Sequence, residues 1–359
     1  MPFMEKWVAS ALRSGRGVAI AALIAAALLG GLAMPIDVRR TGDKGLEQMT
    51  FTRQSVELEG RLWIDTDAAC GHGARTDPDD CLAIMLLARA AGDRIAGIST
   101  VAGNASHEVV ERTTRELAAR LSAELGRPLD VRTASHGLTA ALVEGPLTIV
   151  ALGPLTNLAA VLDARPELRA HVTRVVAVMG RRPGHVFHPA EGGGGGILFG
   201  HGPIFRDFNF EMDVSAVIRT VALGVPLTLV PYDAARRIEV SAADLDRLAA
   251  AGGPAAWVAD RSRAWLAYWQ TDIGRRGFSP FDLLAAAYIV EPRQFGCAEV
   301  QAWVGEDPTL LAPFRRPHAL LVRQSAGGPE RLARAYGSAS YCADVPTDIK
   351  RQLFDLMAG

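Results

Sequence analysis

The sequence predicts an α/β protein: an open, mostly parallel sheet flanked by helices, preceded by one N-terminal hydrophobic helix. Three observations carry the prediction. Short apolar runs recur at residues 62–64, 95–101, 147–152, 175–179 and 226–232, each almost continuously hydrophobic, as strands covered on both faces are. Segments with helical apolar spacing alternate with them, the pattern of parallel strands joined by crossover helices. A chain of 359 residues that is 49% hydrophobic and 21% charged is also long and apolar enough to bury a full core.

The chain opens with a basic segment, residues 1–16, followed at residues 17–36 by an uncharged apolar stretch with Lys6, Arg13 and Arg16 before it. About twenty residues at 1.5 Å each span roughly 30 Å of hydrocarbon, so this stretch is expected to be a transmembrane or signal-anchor helix. The positive flank places the remaining chain outside the cytoplasm, as a membrane-anchored periplasmic or extracellular domain. If the small residues around Gly31-Leu32-Ala33 are cut, the domain is secreted. Residues 37–59 read as a linker and residues 60–359 as one domain. The formal net charge is −1 with no long basic block, which gives nucleic-acid binding no electrostatic support.

In the domain, the apolar run at 62–64 delivers Asp65 and Asp67 where a short buried strand should end. A second pair, Asp79-Asp80, opens the helical segment 81–91. Four carboxylates at one strand-to-helix turn repel one another unless a cation, a proton or a hydroxyl-rich ligand sits among them, and a hard divalent metal fits best. Asp at helix N-caps explains either pair alone without chemistry. Both pairs flanking one loop are harder to explain that way.

Strand 95–101 ends in Ala102-Gly103-Asn104, and a long amphipathic helix follows with Val109, Val110, Leu117 and Leu121 on its apolar side. Strand 147–152 turns through Gly153-Pro154-Leu155-Thr156-Asn157 into the next helix. In parallel sheets ligands bind beyond the carboxyl ends of the strands, where Asp67, Asn104 and Leu152 should converge. Residues 181–206 form a long loop with a glycine run and His185, His188 and His201. Ser241 and Asp244 make a capping box. The aromatic segment 257–269 is expected to be core, or else a contact in a homo-oligomer. Ser279-Pro280-Phe281-Asp282 introduces one more apolar helix. The four cysteines, Cys70, Cys81, Cys297 and Cys342, permit disulfides in an oxidising compartment without fixing their pairing, and free thiols fit equally well. A zinc site from Cys70, His72 and Cys81 lacks a second ligand pair of known spacing.

Six segments resemble the inosine-uridine-type nucleoside hydrolases, in that family's order. They are Asp65-Thr66-Asp67 with Asp79-Asp80, Thr100-Val101-Ala102-Gly103-Asn104, the run from Ala151 through Gly153-Pro154-Leu155-Thr156-Asn157 to Ala159, Val178-Met179-Gly180, Asp207-Phe208-Asn209, and Pro280-Phe281-Asp282-Leu283. The resemblance implies an open α/β sheet and Ca²⁺-dependent hydrolysis of the N-glycosidic bond of ribonucleosides. It implies Asp67, Asp80 and Asp282 as carboxylate ligands of Ca²⁺, with the backbone carbonyl of Leu152 and with Asp67 also the general base that takes a proton from the attacking water. Asp79, Asn104, Asp207 and Asn209 would hold the nucleoside's ribose, and Asp65 would orient the metal site. His201 stands where a ribose-contacting Asn is expected, and Asp207 where the family usually has Glu.

Two further departures are an acidic motif spread over eleven intervening residues between Asp67 and Asp79, and Phe281 where the family often has a His that protonates the leaving base. These leave an alternative: a non-catalytic, calcium-dependent nucleoside or sugar-binding ectodomain. A phosphatase of the haloacid dehalogenase type also begins with strand-Asp-x-Asp, but it needs Thr or Val at position 69, which is Ala, and a core lysine. The three lysines, Lys6, Lys44 and Lys350, lie in terminal or linker segments.

Overall fold

The computed structural model describes residues 46–55, 58, 60–73, 75–185, 207–307, 318–324 and 334–359. Its strands are β1 (Thr52–Arg53), β2 (Arg61–Thr66), β3 (Ile95–Thr100), β4 (Val131–Thr133), β5 (Leu147–Ala151), β6 (Val172–Ala177), β7 (Leu227–Leu229), β8 (Gly296–Glu306), β9 (His318–Arg323) and β10 (Ala335–Asp344). The α-helices are α1 (Asp79–Ala91), α2 (His107–Leu125), α3 (Ala134–Glu144), α4 (Thr156–Ala164), α5 (Phe208–Met212), α6 (Val214–Leu223), α7 (Tyr232–Ala235), α8 (Ala242–Ala251), α9 (Gly253–Tyr268), α10 (Phe281–Val290) and α11 (Ile349–Ala358).

One sheet contains all the strands, in the order β1-β8-β10-β7-β6-β5-β2-β3-β4, with β9 added on β8. From β4 to β7 and on to β10 the pairings are parallel, and β1, β9 and β10 each run antiparallel to β8. The chain leaves β2 toward β3 and β4 on one side, then returns to β5 on the other. That reversal makes the β2/β5 boundary the topological switch point, where a crevice opens beyond the strand ends.

Each sheet face carries its own apolar layer. Leu82, Leu86, Trp257, Leu284 and Phe354 of α1, α9, α10 and α11 cover one face, and Leu138, Leu158, Leu162 and Val217 of α3, α4 and α6 cover the other. This double cover explains why the central strands read as unbroken hydrophobic runs rather than alternating ones. Trp257, Trp265, Tyr268 and Trp269 are all buried within this single chain, so these aromatic side chains are core. The Ser241/Asp244 capping box forms as expected at the start of α8.

Two expectations need correction. The linker was expected to reach residue 59, yet Thr52 and Arg53 pair with Cys297 and Gly296, so part of it belongs to the sheet; two residues are too short to show a strand period. The strand expected at 226–232 holds only Leu227–Leu229, because Pro231 removes a ladder donor and Tyr232 begins a helical turn. Among the described residues no helix is long and apolar enough to cross a membrane. The anchor expected at 17–36, and His188 and His201, lie outside the described residues.

Candidate active site

The site grows from the tip of β2. Asp65, the last residue of that strand to pair on both sides, lies between Ser99 of β3 and Ala151 of β5, and the Leu152 N–H donates to the Asp65 carbonyl at 2.8 Å. Its buried side chain accepts from Ser99 Oγ at 2.6 Å and from Asn157 Nδ2 at 2.8 Å, both on Oδ1, while Oδ2 has no hydrogen-bond partner. Burial lifts this carboxyl to about 6 in spite of those two bonds.

Two residues on, Asp67 is fully enclosed. Its Oδ2 accepts the Asn104 backbone N–H at 2.8 Å, and Asn104 Nδ2 lies 3.4 Å from Oδ1 and 3.1 Å from Asp80 Oδ2. Asn104 thus ties the loop after β3 to two carboxylates at once. The approach is close enough that a Cβ on Gly103 would sit 1.9 Å from Asp67 Oδ2, which is why that position is glycine.

Helices α1 and α10 bring the remaining acids. Asp79 and Asp80 occupy the first turn of α1 and Asp282 the first turn of α10, so two helix N-termini, each favouring negative charge, point at one place. The Asp282 backbone N–H donates to Asp79 Oδ2 at 2.9 Å, and Thr66 Oγ1 donates to Asp80 Oδ1. One carboxylate oxygen from each of Asp79, Asp80 and Asp282 lies within 4.8 Å of the others, and all three residues are buried. No arginine, lysine or histidine among the described residues pairs with any of them or with Asp67.

Such a group is unstable as it stands. Burial first, and then mutual repulsion, holds Asp67 and Asp282 well above the carboxylate range and lifts Asp80 to about 7; burial likewise raises Asp79. A hard divalent cation taking oxygen ligands would reverse the penalty, so the donor set fits a metal ion. Asp67 lies outside that triad but directly against Asp80, and the two carboxyls share Asn104 Nδ2.

Asn209 and Asp207 come from the first turn of α5 and its N-cap. Asn209 Nδ2 donates to the Leu152 carbonyl at 2.7 Å, leaving that oxygen a second lone pair. Asp207 caps α5 and accepts the Gly180 N–H at 2.7 Å, and burial raises its carboxyl to about 6. Of the described loop histidines, His72 is exposed. His185 is buried with Nδ1 3.4 Å from Asp233 Oδ2, and its ring lies 5.8 Å from that of Tyr232, which stacks on Phe281 at 5.9 Å.

Sequence reasoning missed Thr66, Asn157 and Asp77. Thr66 and Asn157 stand inside the quoted segments but were given no role. Asp77 is a fifth acid whose Oδ1 accepts the Asp79 N–H at 3.3 Å, and burial beside Asp79 holds its carboxyl well above the usual range. Cys70 and Cys81 are joined, as are Cys297 and Cys342, which removes the zinc reading.

An open α/β sheet with a buried, metal-competent carboxylate group at its switch point defines the class. Within it, the chain belongs to the inosine-uridine preferring nucleoside hydrolase family, whose profile matches residues 62–312. The pyrimidine-specific ribonucleoside hydrolase RihA of Salmonella agona (strain SL483) is 28% identical over 162 residues, 45% of this chain and 47% of that one. RihA of Enterobacter sp. (strain 638) is 28% identical over 162 residues, 45% and 46% of the two chains. These matches span about half the length of either relative. Among solved structures, a plant nucleoside hydrolase (PpNRh1 enzyme) superposes with a TM-score of 0.63 at 16% identity, over 83% of this chain and 98% of that one. A purine-preferring ribonucleoside hydrolase from Gardnerella vaginalis gives 0.62 at 17%, over 83% and 98%. At these identities the structural likeness is one of fold.

Proposed function

We propose that the chain hydrolyses the N-glycosidic bond of a ribonucleoside, releasing ribose and the free base, in a reaction that depends on Ca²⁺. The observation that carries the reading is the buried triad Asp79, Asp80 and Asp282 beside Asp67, with no cationic partner among the described residues. Asp67, Asp80, Asp282 and the Leu152 carbonyl are the proposed ion ligands, and Ca²⁺ suits a mixed carboxylate and carbonyl set. A bound ion supplies Lewis acidity toward a water and toward ribose hydroxyls.

The chain's own groups do the rest. Asp67, at the end of β2 beside the proposed ion, takes the proton of the attacking water. Asn104 fixes both oxygens of that carboxylate, so the accepting lone pair is aimed before substrate arrives. Asp79 accepts from ribose, and the surrounding negative charge stabilises the oxocarbenium character that develops at the anomeric carbon. Asn209 and Asp207 close the ribose side. The departing base faces the stacked pair Phe281 and Tyr232, which offers an aromatic surface in place of a proton donor at position 281.

The pairing of all four cysteines supports an exported, oxidising location for this domain. The test is ribose release from a panel of purine and pyrimidine nucleosides, with calcium and with chelator. Calcium-dependent release establishes the reading. Calcium and nucleoside binding without release would convert it to the receptor alternative.

A further inference from the structure

Eleven residues separate Asp67 from Asp79. A disulfide crosses that segment at its neck. Only Ala68 and Ala69 separate Asp67 from Cys70, and Asp80 is the immediate neighbour of Cys81. Through the bridge, the covalent path from Asp67 to Asp80 passes two intervening residues and one cystine; along the main chain it passes twelve.

We propose that the Cys70–Cys81 bridge holds Asp67 in register with the Asp79-Asp80 turn, so that the affinity of the site for its cation depends on the disulfide. This rests on the metal reading given above.

The surroundings fit a neck and a ring. Cys70 and Cys81 are 3% and 0% exposed and sit in the core layer with Ala68, whereas Gly71, His72, Gly73 and Arg75 beyond the bridge are exposed. The ring is laid on α9 from outside. Gly71 packs so closely on Arg261 that a Cβ would stand 2.5 Å from its Cγ, and the Arg75 guanidinium lies 5.1 Å from the Tyr268 ring centre and 3.7 Å from Asp272. None of these contacts reaches the carboxylates. At its return the ring supplies Asp77, whose side chain accepts the Asp79 N–H and so sets the first turn of α1.

Without the bridge, the end of β2 and the α1 terminus would be held together across the site by the Thr66 and Asn104 hydrogen bonds against the repulsion of unneutralised carboxylates. Closing a loop of this length removes enough conformational freedom to be worth about tenfold to hundredfold in an equilibrium the closed form favours. Cys70 and Cys81 are in this sense positioning residues, acting through the acids next to them.

Calorimetric titration of the full chain with Ca²⁺ tests this. Replacing Cys70→Ala and Cys81→Ala together should weaken calcium binding about tenfold to hundredfold, while Cys297→Ala with Cys342→Ala, which removes a bridge between β8 and β10, should change it less than about threefold. A measurement on the unaltered protein decides the matter even if the first variant does not fold. By linkage, calcium must oppose reduction of the Cys70–Cys81 bridge by the same factor, about 30 mV per tenfold, read by dithiol titration with alkylation of released thiols. The Cys297–Cys342 bridge should not respond. Unchanged calcium affinity in the folded first variant, or a Cys70–Cys81 reduction midpoint indifferent to calcium, overturns the inference alone. Unaltered protein that takes up no calcium overturns it together with the metal reading.

Discussion

Replacing Asp80→Asn separates the cost of the empty site from the benefit of filling it. Asp80 is fully buried, and its carboxyl sits at about 7 instead of the ordinary 3.8, because burial and Asp79 disfavour its charge more than the Thr66 bond favours it. At pH 8 and without metal, keeping it ionised therefore costs the fold about 4 kcal/mol, at about 1.4 kcal/mol for each unit of pKa. The amide avoids this cost but mismatches one donor, since Thr66 Oγ1 and Asn104 Nδ2 both donate to the carboxylate now. That mismatch returns about 1–3 kcal/mol. The metal-free variant should be more stable than the parent by about 1–3 kcal/mol at pH 8, and little different at pH 5, where Asp80 is protonated. Urea unfolding in chelator at both pH values reads the difference. Calcium at a hundred times its dissociation constant should then stabilise the parent by about 2.7 kcal/mol and the variant hardly at all. A variant less stable than the parent at pH 8 in chelator, yet still stabilised by calcium, would refute the reasoning.

Other consequences follow from the same geometry. Gly103→Ala puts a methyl against Asp67 Oδ2, so ribose release and calcium affinity should both fall at least tenfold while the far-ultraviolet circular dichroism is kept. The folded forms of Asp65 and Asp80 hold protons more tightly than the unfolded chain, at about 6 and about 7. Stability of the metal-free protein that depends on those protons is present below about pH 4 and is lost as pH rises through 6 and 7; calcium should flatten that slope, as thermal melts at stepped pH would report. Asp233 has the opposite sign. Burial pushes its carboxyl up, but contacts from His185, Arg182 and Tyr341 hold it well below the usual range. Its stabilisation is full at neutral pH and is lost only in acid, so Asp233→Asn should cost about 3–5 kcal/mol at pH 7 in urea unfolding, with the gap narrowing below pH 4.

The parallel half of the sheet was legible because its strands are covered on both faces and so read as continuous apolar runs. β8 and β10 were not. In β10, exposed Tyr336 and Ser338 and half-exposed Gly337 interrupt the run, and the strand's partner comes from a distant segment. The acids were legible for a related reason: a buried strand that ends in Asp65-Thr66-Asp67 advertises the cost of enclosing them. Asp77 was hidden by Pro78, which makes it look like an ordinary turn residue. Asn104 and Asn209 could be named from the sequence, but not the partners they hold, since amides that fasten carboxylates or a carbonyl leave no mark in local sequence. The cysteine pairing was equally silent. Nothing in the spacing of Cys70 and Cys81 reveals that the insertion between them is closed at its neck, because proximity in the fold, not in the chain, decides a disulfide.

The proposed hydrolysis requires one cation held by the buried carboxylates. Ribose release and calorimetrically determined calcium occupancy, measured on the same sample across a free-calcium series with Asp67→Ala beside the parent, test that requirement. The expected result is one calcium per chain, release that rises in proportion to occupancy, and no release from the variant. Release that persists in chelator, or that survives in Asp67→Ala, would contradict it.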